Sequence, residues 1–379
     1  MRVLLTVIDA NLVGGQRVAL AIAKKLRVEG HEVLAAFPGT GPLQAAFEQA
    51  SIPWTSIPSW RIRDPRGYVV LHRVARKFHP DLIYSHCSTG GELISTVLAK
   101  LIGVPIVIHR HAGPEFGFGR VHQSAVKILS RWMYASCAKV IAVSMATREA
   151  ILRLGTAPEK VEPILNGISP QDLVASAGGR ARVRAELGLP EKACVVLLMA
   201  RLCEQKGQRL LLEAAKMLPV KDLGLSLLLV GKDQEGQGQY EAYLRRMARE
   251  CGLSDCVVFA GHRDDVADIY AASDIAVLPS TADSCPIAVL EAMAAKVPVV
   301  ATATTGACEL LEAGISGLIV PLDRADLLAE ALRRLAVDPS LRERLAASAY
   351  ARVTAQFSQE IFFQNALAVL DEARNRCRN

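Results

Sequence analysis

Two charged residues, Arg201 and Lys206, follow an apolar run with the composition of a buried strand, Val195–Ala200. A planar guanidinium and a compact ammonium at a strand end can together neutralise a diphosphate. The alternative is a solvated surface pair, which would be preferred if this segment stood alone. The two residues are therefore candidates for holding a phosphorylated substrate and for stabilising the charge of its leaving group.

Two acids follow another apolar run, Ile275–Pro279: Asp283 lies in the next loop, and Glu291 lies in the helical pattern after it. Carboxylates in such positions accept hydrogen bonds from ribose and sugar hydroxyls. The amides of Cys285–Ile287, at the start of the helix, can hold phosphate oxygens. Each acid has an alternative of about equal weight when it is taken singly: Asp283 caps the helix, and Glu291 is a solvated residue of that helix.

Two features of the first half also lie at predicted strand ends. Gly14 and Gly15 open the first helix, where free N–H groups and the helix dipole favour an anion, although an ordinary tight turn is the alternative. They lack the three-glycine spacing of a dinucleotide site. His111 ends another strand, but a single histidine is more often packed or exposed than catalytic.

Short apolar strands alternate with helical patterns in both halves, which predicts parallel sheets covered on both faces. We expect an α/β protein with two Rossmann-like, doubly wound domains that face a cleft, and ligands beyond the carboxyl ends of the strands. The turn-rich segment Asn166–Pro170 separates the halves. The expected domains are residues 1–168 and 169–357, and residues 358–379 form a helix that packs back on the first domain.

Composition excludes several classes of protein. Hydrophobic residues make up 51% of the 379 residues and charged residues 22%, which argues against disorder. The longest apolar runs are about eight residues, whereas a membrane-spanning helix needs about 20. The nine cysteines lack metal or redox spacing, so reduced thiols in a cytoplasmic protein are expected. Residues 1–170 carry a net charge of +9 and the remainder −3.

In combination, the motifs resemble the retaining glycosyltransferases of the GT-B fold, family four (glycosyl transferases group 1), along nearly the whole chain. The most specific match is a pair of acids separated by seven residues, Asp283 and Glu291. Asp283 stands where the family usually has Glu, and Ser284-Cys285-Pro286 replaces a pattern with an aromatic residue. Arg17 replaces an acid that the family has after the glycine pair. These departures leave the donor sugar open. The other matching segments are Gly14-Gly15, His111, Asn166–Ile168, Ala200–Leu202, Lys206-Gly207, Phe259–Gly261, Gly306, Glu309, Gly317 and Val320-Pro321.

The resemblance implies transfer of a sugar from a nucleoside diphosphate sugar, with a UDP-sugar expected, to an acceptor hydroxyl with retained anomeric configuration. It implies no cofactor and no metal, because fixed cations take the metal's role. His111, Arg201, Lys206 and Asp283 would be catalytic, with Asp283 holding sugar hydroxyls and Glu291 the ribose. The donor-binding residues implied are Gly14, Gly15, Arg201, Lys206, Gly261, His262, Arg263, Asp283, Ser284, Cys285, Pro286, Ile287 and Glu291.

A basic segment in the first half predicts where the acceptor binds. Six cations and one acid fall within Arg61–Lys77, interleaved with Trp60, Ile62 and Tyr68. A solvated helix face is the alternative. Because the resembled family takes its acceptor on this domain, we expect peripheral attachment to the inner face of the cytoplasmic membrane. The expected acceptor is a lipid-linked or phosphate-bearing precursor of a cell-envelope glycan, such as lipopolysaccharide. The candidate acceptor and membrane residues are Arg61, Arg63, Arg66 and Arg73.

Four alternatives remain at this stage. A nucleotide-sugar epimerase of the same fold would make no product larger than its donor, and a glycosyltransferase with a soluble small-molecule acceptor would not bind membranes. A nicotinamide oxidoreductase needs a dinucleotide fingerprint that neither half supplies. A nucleic-acid-binding protein would use the basic half, but no stacking aromatics accompany it, so no nucleic-acid partner is expected.

Overall fold

The computed structural model describes residues 1–111, 123–233 and 236–376, with side chains omitted for residues 123–126. The chain divides into two compact units. The first comprises Met1–Asn166 and Ile361–Asn379, and the second comprises Gly167–Glu360. Each unit is built on one parallel sheet.

The first unit has a seven-stranded sheet in the order β3-β2-β1-β4-β5-β6-β7, with every pair parallel. The central strands are almost fully buried, as expected for a sheet with helices on both faces. The strands are β1 Arg2–Val7, β2 Glu32–Pro38, β3 Trp54–Ile57, β4 Leu82–His86, β5 Ile106–Arg110, β6 Lys139–Ala142 and β7 Val161–Pro163.

Amphipathic helices cover this sheet. Helices α3, α4 and α5 pack successively against one another, and α1 packs against α2. The helices are α1 Gly14–Val28, α2 Pro42–Gln49, α3 Pro65–Phe78, α4 Thr89–Ile102, α5 Gln123–Ser136 and α6 Met145–Leu152.

The last helix of the chain, α15 Gln359–Arg376, contributes its residues from Ile361 onward to the first unit. Within that unit, Glu372 Oε2 lies 2.9 Å from Lys139 Nζ at the start of β6. The Phe362 ring packs 6.1 Å, centroid to centroid, from His109 in β5. The helix is therefore fixed by an ion pair and by an aromatic contact.

The second unit has a six-stranded parallel sheet in the order β10-β9-β8-β11-β12-β13. Its core is aliphatic, with Leu and Val side chains from the strands packed against α8 and α13. The strands are β8 Cys194–Met199, β9 Leu225–Val230, β10 Val257–Gly261, β11 Ile275–Leu278, β12 Val299–Thr302 and β13 Leu318–Val320. The helices are α7 Gly179–Glu186, α8 Gln208–Lys216, α9 Gln239–Glu250, α10 Val266–Ala271, α11 Ile287–Ala294, α12 Thr305–Leu310, α13 Ala325–Val337 and α14 Pro339–Gln356.

Both sheets contain a point at which the strand order reverses. In the first unit the chain runs outward from β1 through β3 and returns to place β4 on the other side of β1; in the second, β8 and β11 are related in the same way. Ligands of open α/β sheets bind beyond the carboxyl ends of the strands at such points. The fold therefore directs attention to the loops after β1, β4, β8 and β11.

The predicted doubly wound α/β architecture is confirmed for both units. The short strands β3 and β7 have too few residues to be recognised from an apolar pattern, and the basic segment Arg61–Lys77 lies between β3 and β4. Within the described part of the chain, no helix combines the length and apolar character needed to cross a membrane.

Candidate active site

The switch point of the second sheet brings Lys206 and Asp283 into contact. Lys206 ends a short 3₁₀ turn after β8, and Asp283 lies in the loop after β11. Lys206 Nζ is 2.6 Å from Asp283 Oδ2, and both side chains are largely but not fully buried. From the sequence, the two residues were expected to contact different parts of a substrate, whereas in the structure their opposite charges form an ion pair with each other.

Backbone contacts join the loops that carry this pair. Gln205 accepts a hydrogen bond from the Thr281 amide at 2.9 Å, and its side chain donates to Ala282 O at 2.8 Å. Gly207 has a φ of +72°, and a Cβ there would lie 1.8 Å from Pro279 O. Only glycine permits this approach. The loops after β8 and β11 are thus packed directly against each other.

The loop after β11 is also held by α12. The Gly306 amide donates to Asp283 O at 2.9 Å, and a Cβ on Gly306 would lie 2.6 Å from the Ser284 carbonyl. Helix α11 begins at Ile287 without a side-chain cap. Because Pro286 has no N–H, the predicted phosphate contact at this helix start reduces to the amides of Cys285 and Ile287.

Glu291 is 7% exposed, which rules out the alternative that it is a solvated helix residue. The Tyr270 hydroxyl on α10 lies 3.2 Å from Glu291 Oε2 and 2.9 Å from Ala288 O. Sequence reasoning missed Tyr270, whose only signal is its place on the buried face of α10. Asp283 is not a helix cap either, since α11 follows Pro286 and the carboxylate pairs with Lys206.

The predicted base-binding segment lies at the end of β10. Gly261 ends the strand with a φ of +67°, and His262 is half-exposed, with Nε2 3.2 Å from Asp264 Oδ1. The Arg263 guanidinium is occupied, since it pairs with Glu186 on α7 and with Asp265 at 2.8 Å. Hydrogen bonds from the guanidinium groups of Arg263 and Arg182 hold the pKa of Asp265 well below its usual range. A role of Arg263 in binding the donor remains a prediction.

A cavity of about 410 Å³ adjoins the joined loops of the second unit. Its lining carries both signs of charge: Glu204 and Asp323 are negative, and Arg209 is positive. Gly207, Pro279 and Thr281 also contribute to its wall, whereas Lys206 and Asp283 do not.

The switch point of the first sheet carries His111 next to two features from neighbouring elements. His111 Nε2 is 2.9 Å from Nδ1 of His86, the last residue of β4. A Cβ on Gly15, in the first turn of α1, would lie 3.0 Å from His111 Cδ2. The glycine pair is thus explained in part by the close approach of this ring. His86 was not singled out from the sequence, although it is the last residue of β4 and His111 directly follows β5.

Two further aromatic rings, those of His109 and Tyr84, pack around this pair. His109 is fully buried, stacks on His111 at 4.5 Å with an interplanar angle of 12°, and has Nδ1 2.7 Å from the Tyr84 hydroxyl. Burial, reinforced by the nearby Arg110 charge, lowers the pKa of His111 to about 4. Burial also lowers the pKa of His86 and of His109 well below the usual value. All three imidazoles are therefore neutral at pH 7.

The three histidines offer ring nitrogens within 4.8 Å of one another, a spacing that a metal ion can bridge. Imidazole lone pairs lie in the ring plane, however, so the nearly parallel rings of His109 and His111 do not direct them at a common point. The hydrogen bond between His86 and His111 accounts for the closest approach without an ion.

The basic segment is partly as predicted. Arg61 and Arg63 are exposed before α3, and Arg66 and Arg73 are exposed on it. Arg66 is neutralised in part by Asp64, whose carboxylate accepts from its guanidinium at 2.9 and 3.0 Å. Trp60, the first apolar residue of this segment, is not available to a membrane, so the expectation of membrane contact does not hold for its side chain. Its side chain is buried and donates from Nε1 to Val7 O at 2.8 Å.

Comparison with known proteins agrees with this geometry. Residues 13–172 match the model of Glycosyltransferase Family 4, and residues 179–352 match Glycosyl transferases group 1. The first match contains β2 to β7 of the first sheet, and the second contains all six strands of the second sheet. The chain is therefore a nucleotide-sugar-dependent glycosyltransferase of the GT-B fold, and it belongs to family four.

Individual relatives share much of its length. An Escherichia coli UDP-Gal:alpha-D-GlcNAc-diphosphoundecaprenol alpha-1,3-galactosyltransferase is 26% identical over 87% of this chain and 86% of its own. A lipopolysaccharide core biosynthesis glycosyltransferase, LpsE of Rhizobium meliloti, is 34% identical over 50% of this chain and 54% of its own. The structure of Anabaena HepE in complex with UDP-glucose has a TM-score of 0.88 and 25% identity, and covers 98% of this chain and 99% of that one.

Proposed function

We propose that this glycosyltransferase moves a sugar from a UDP-sugar to a hydroxyl of a lipid-linked or phosphate-bearing glycan precursor, with retention of anomeric configuration and without a metal. The observation that carries the proposal is the Lys206–Asp283 contact at the switch point of the second sheet. A cation suited to the diphosphate here lies beside an acid suited to sugar hydroxyls, which supports a donor bound with its scissile bond near this pair.

Arg201 and Lys206 would neutralise the diphosphate as it leaves, and the amides of Cys285 and Ile287 would add two neutral donors. Glu291, buried and held by Tyr270, would accept from the ribose hydroxyls. Asp283 and His111 would contact the transferred sugar. With fixed cations on the diphosphate, turnover should survive treatment with a chelator.

Retention without a protein nucleophile would follow from displacement on the same face of the sugar. The acceptor oxygen bonds to the anomeric carbon as the bond from that carbon to the β-phosphate oxygen breaks. The departing phosphate oxygen takes the acceptor's proton, so the atoms and the charge balance. The anomeric configuration of the product, read from proton couplings by NMR, distinguishes this course from inversion.

The acceptor class is inferred from relatives and from charge. The Escherichia coli relative carries diphosphoundecaprenol in its name, and several others are D-inositol 3-phosphate glycosyltransferases, as in Acidothermus cellulolyticus at 28% identity. Both names contain phosphate, and the basic segment Arg61–Lys77 is suited to an anion. A lipid-linked acceptor would place the enzyme at the cytoplasmic face of a membrane and in the synthesis of cell-envelope polysaccharide.

The test is a panel of UDP- and GDP-sugars incubated with the full chain, with and without undecaprenyl-diphosphate-linked and inositol-phosphate acceptors. We expect UDP and one UDP-sugar to raise the unfolding midpoint by several degrees, since ligand at 100 times its Kd adds about 2.7 kcal/mol. UDP release should accelerate with the correct acceptor and persist in EDTA. Protection by no nucleotide, or a product no larger than the donor, would contradict the proposal.

A further inference from the structure

The His86–His111 hydrogen bond joins the carboxyl ends of two adjacent strands. β4 ends at His86, and β5, paired with β4 in parallel register, ends one residue before His111. His86 is 2% exposed, while His111 is partly accessible. The accessible ring therefore rests on a buried one through a single N···N contact of 2.9 Å.

One proton serves this contact, because each neutral imidazole has one donor and one acceptor nitrogen. Either His111 Nε2–H donates to His86 Nδ1, or His86 Nδ1–H donates to His111 Nε2. The choice also decides what His111 offers a ligand at its other nitrogen, Nδ1. In the first case Nδ1 is an acceptor, and in the second it carries a proton.

The surroundings of His86 favour the second arrangement. Its Nε2 is buried and has no hydrogen-bond partner among the described residues. If His86 Nδ1 accepted the hydrogen bond from His111, His86 Nε2 would carry the proton and would be a buried N–H with no acceptor. Orphaned buried N–H groups are rarer in proteins than orphaned acceptors. The proton therefore belongs on His86 Nδ1, and Nε2 keeps its lone pair.

We propose that His86 is a positioning residue that donates from Nδ1 to His111 Nε2 and so fixes His111 as the Nδ1–H tautomer, which donates a hydrogen bond to an oxygen of the transferred sugar. The contact with the sugar rests on the proposed function, whereas the tautomer does not. Gly15 supports the same orientation, since any side chain there would displace the ring.

Three variants separate the hydrogen bond from packing. His86→Phe keeps a ring and removes the donor. His86→Asn restores a donor, because its amide nitrogen lies close to the position of Nδ1. Tyr84→Phe is the matched control, because it breaks the buried Tyr84–His109 bond in the same cluster and leaves the His86–His111 bond intact.

We expect His86→Phe to lower sugar turnover roughly ten- to hundredfold, the effect of leaving a buried acceptor unpaired. The affinity for UDP, which lacks the transferred sugar, should be unchanged. His86→Asn should recover most of the rate, and Tyr84→Phe should stay within about threefold of wild type. A merely structural role of His86 would lower turnover by similar factors in the Phe and Asn variants.

The tautomer is read directly by NMR of protein labelled with ¹⁵N in the histidine rings. Wild type should show the proton of His111 on Nδ1, and His86→Phe should shift it toward Nε2. A wild-type Nε2–H tautomer, full turnover in His86→Phe, or equal losses in Phe and Asn would each overturn the inference. If no nucleotide sugar is turned over, the proposed function fails, and the NMR result still decides the tautomer.

Discussion

The charge of Lys206 is shared between Asp283 and the proposed diphosphate, so the effect of removing it depends on whether the acid remains. Lys206→Ala leaves the Asp283 carboxylate uncompensated at the site where UDP is proposed to bind. We expect this variant, like Arg201→Ala, to lower turnover about 10²–10³-fold. Adding Asp283→Asn should restore part of the UDP affinity, because it removes the repelling charge.

Calorimetry measures this coupling when UDP is titrated into wild type, Lys206→Ala, Asp283→Asn and the double variant of these two. Lys216→Ala is the control, since it removes an exposed cation from α8 of the same unit. Additive losses, with no recovery in the double variant, would show that the ion pair is not at the diphosphate.

Asp283 and Glu291 should differ in the part of the donor that they detect. Glu291→Gln removes the proposed acceptor of the ribose hydroxyls and should lower the affinities for UDP and for the UDP-sugar by the same factor. Asp283→Asn should weaken the UDP-sugar relative to UDP, because its proposed partner is the sugar. Titration of both ligands into both variants decides the assignment, and an equal loss of both at Asp283 would place the sugar elsewhere.

At the scale of elements, two glycines permit the loops of the second unit to approach each other. In Gly306→Ala the new methyl would lie 2.6 Å from the Ser284 carbonyl, so the loop that carries Asp283 must move. We expect UDP affinity to fall at least tenfold. Gly252→Ala is the control: its φ of +70° makes alanine cost about 1 kcal/mol, but nothing lies within 4 Å. Equal UDP affinity in the two variants would contradict this account.

The carboxyl ends of β4 and β5 gather neutral histidines, which makes the first unit sensitive to acid. The unfolded rings take up protons below about pH 6.5, whereas burial and the Arg110 charge hold His111 neutral to about pH 4. The unfolded state thus binds more protons over this range, and stability falls as the pH drops below 6.5. Burial lowers the pKa values of His86 and His109 as well. Burial raises the pKa of Tyr84, so its hydroxyl is also neutral over this pH range.

Each buried ring should cost on the order of 1 kcal/mol between pH 7.5 and 5.5, and the three rings together a few kcal/mol. Urea titrations followed by tryptophan fluorescence report on this unit, because all three tryptophans lie in it. His111→Gln should reduce the pH dependence of the free energy of unfolding by the contribution of one histidine. His79→Asn, at an exposed position with left-handed backbone, should not change it. A flat profile above pH 5.5 would show that the cluster is protonated or hydrated.

The strand ends could be predicted because buried parallel strands are continuous apolar runs, and the residues after them must lie at one edge of a sheet. Short edge strands such as Val161–Pro163 carry too little pattern to be recognised. The Lys206–Asp283 and His86–His111 contacts depend on which strands become neighbours, and Tyr270 acts through a contact across 21 residues. Local spacing does not encode such pairings.

At the scale of the whole molecule, positive charge is concentrated in the first half, where residues 1–170 hold 20 Lys and Arg against 11 Asp and Glu. On and before α3, exposed cations alternate with exposed apolar side chains: Ile62 is 57% exposed and Val69 is 49% exposed. Cations near an anionic bilayer contribute about 1 kcal/mol each, and apolar groups between them can enter the interface. We expect this part of the surface to contact an anionic membrane, with the exposed Ile62 and Val69, rather than the buried Trp60, as the apolar side chains that enter it.

We therefore predict that the protein sediments with vesicles containing anionic phospholipid, and does so less with neutral vesicles or at high salt. Replacing Arg61, Arg63 and Arg66 together by Ser should lower the partition coefficient by about a hundredfold, corresponding to about 3 kcal/mol. The control replaces Lys24, Arg27 and Arg153, which are exposed elsewhere on the same unit, and so makes the same change in net charge. Equal losses in the two triple variants would indicate a diffuse effect of net charge. A wild-type protein that ignores anionic vesicles would favour a small, water-soluble acceptor, and the basic segment would then be expected to bind the phosphate of that acceptor.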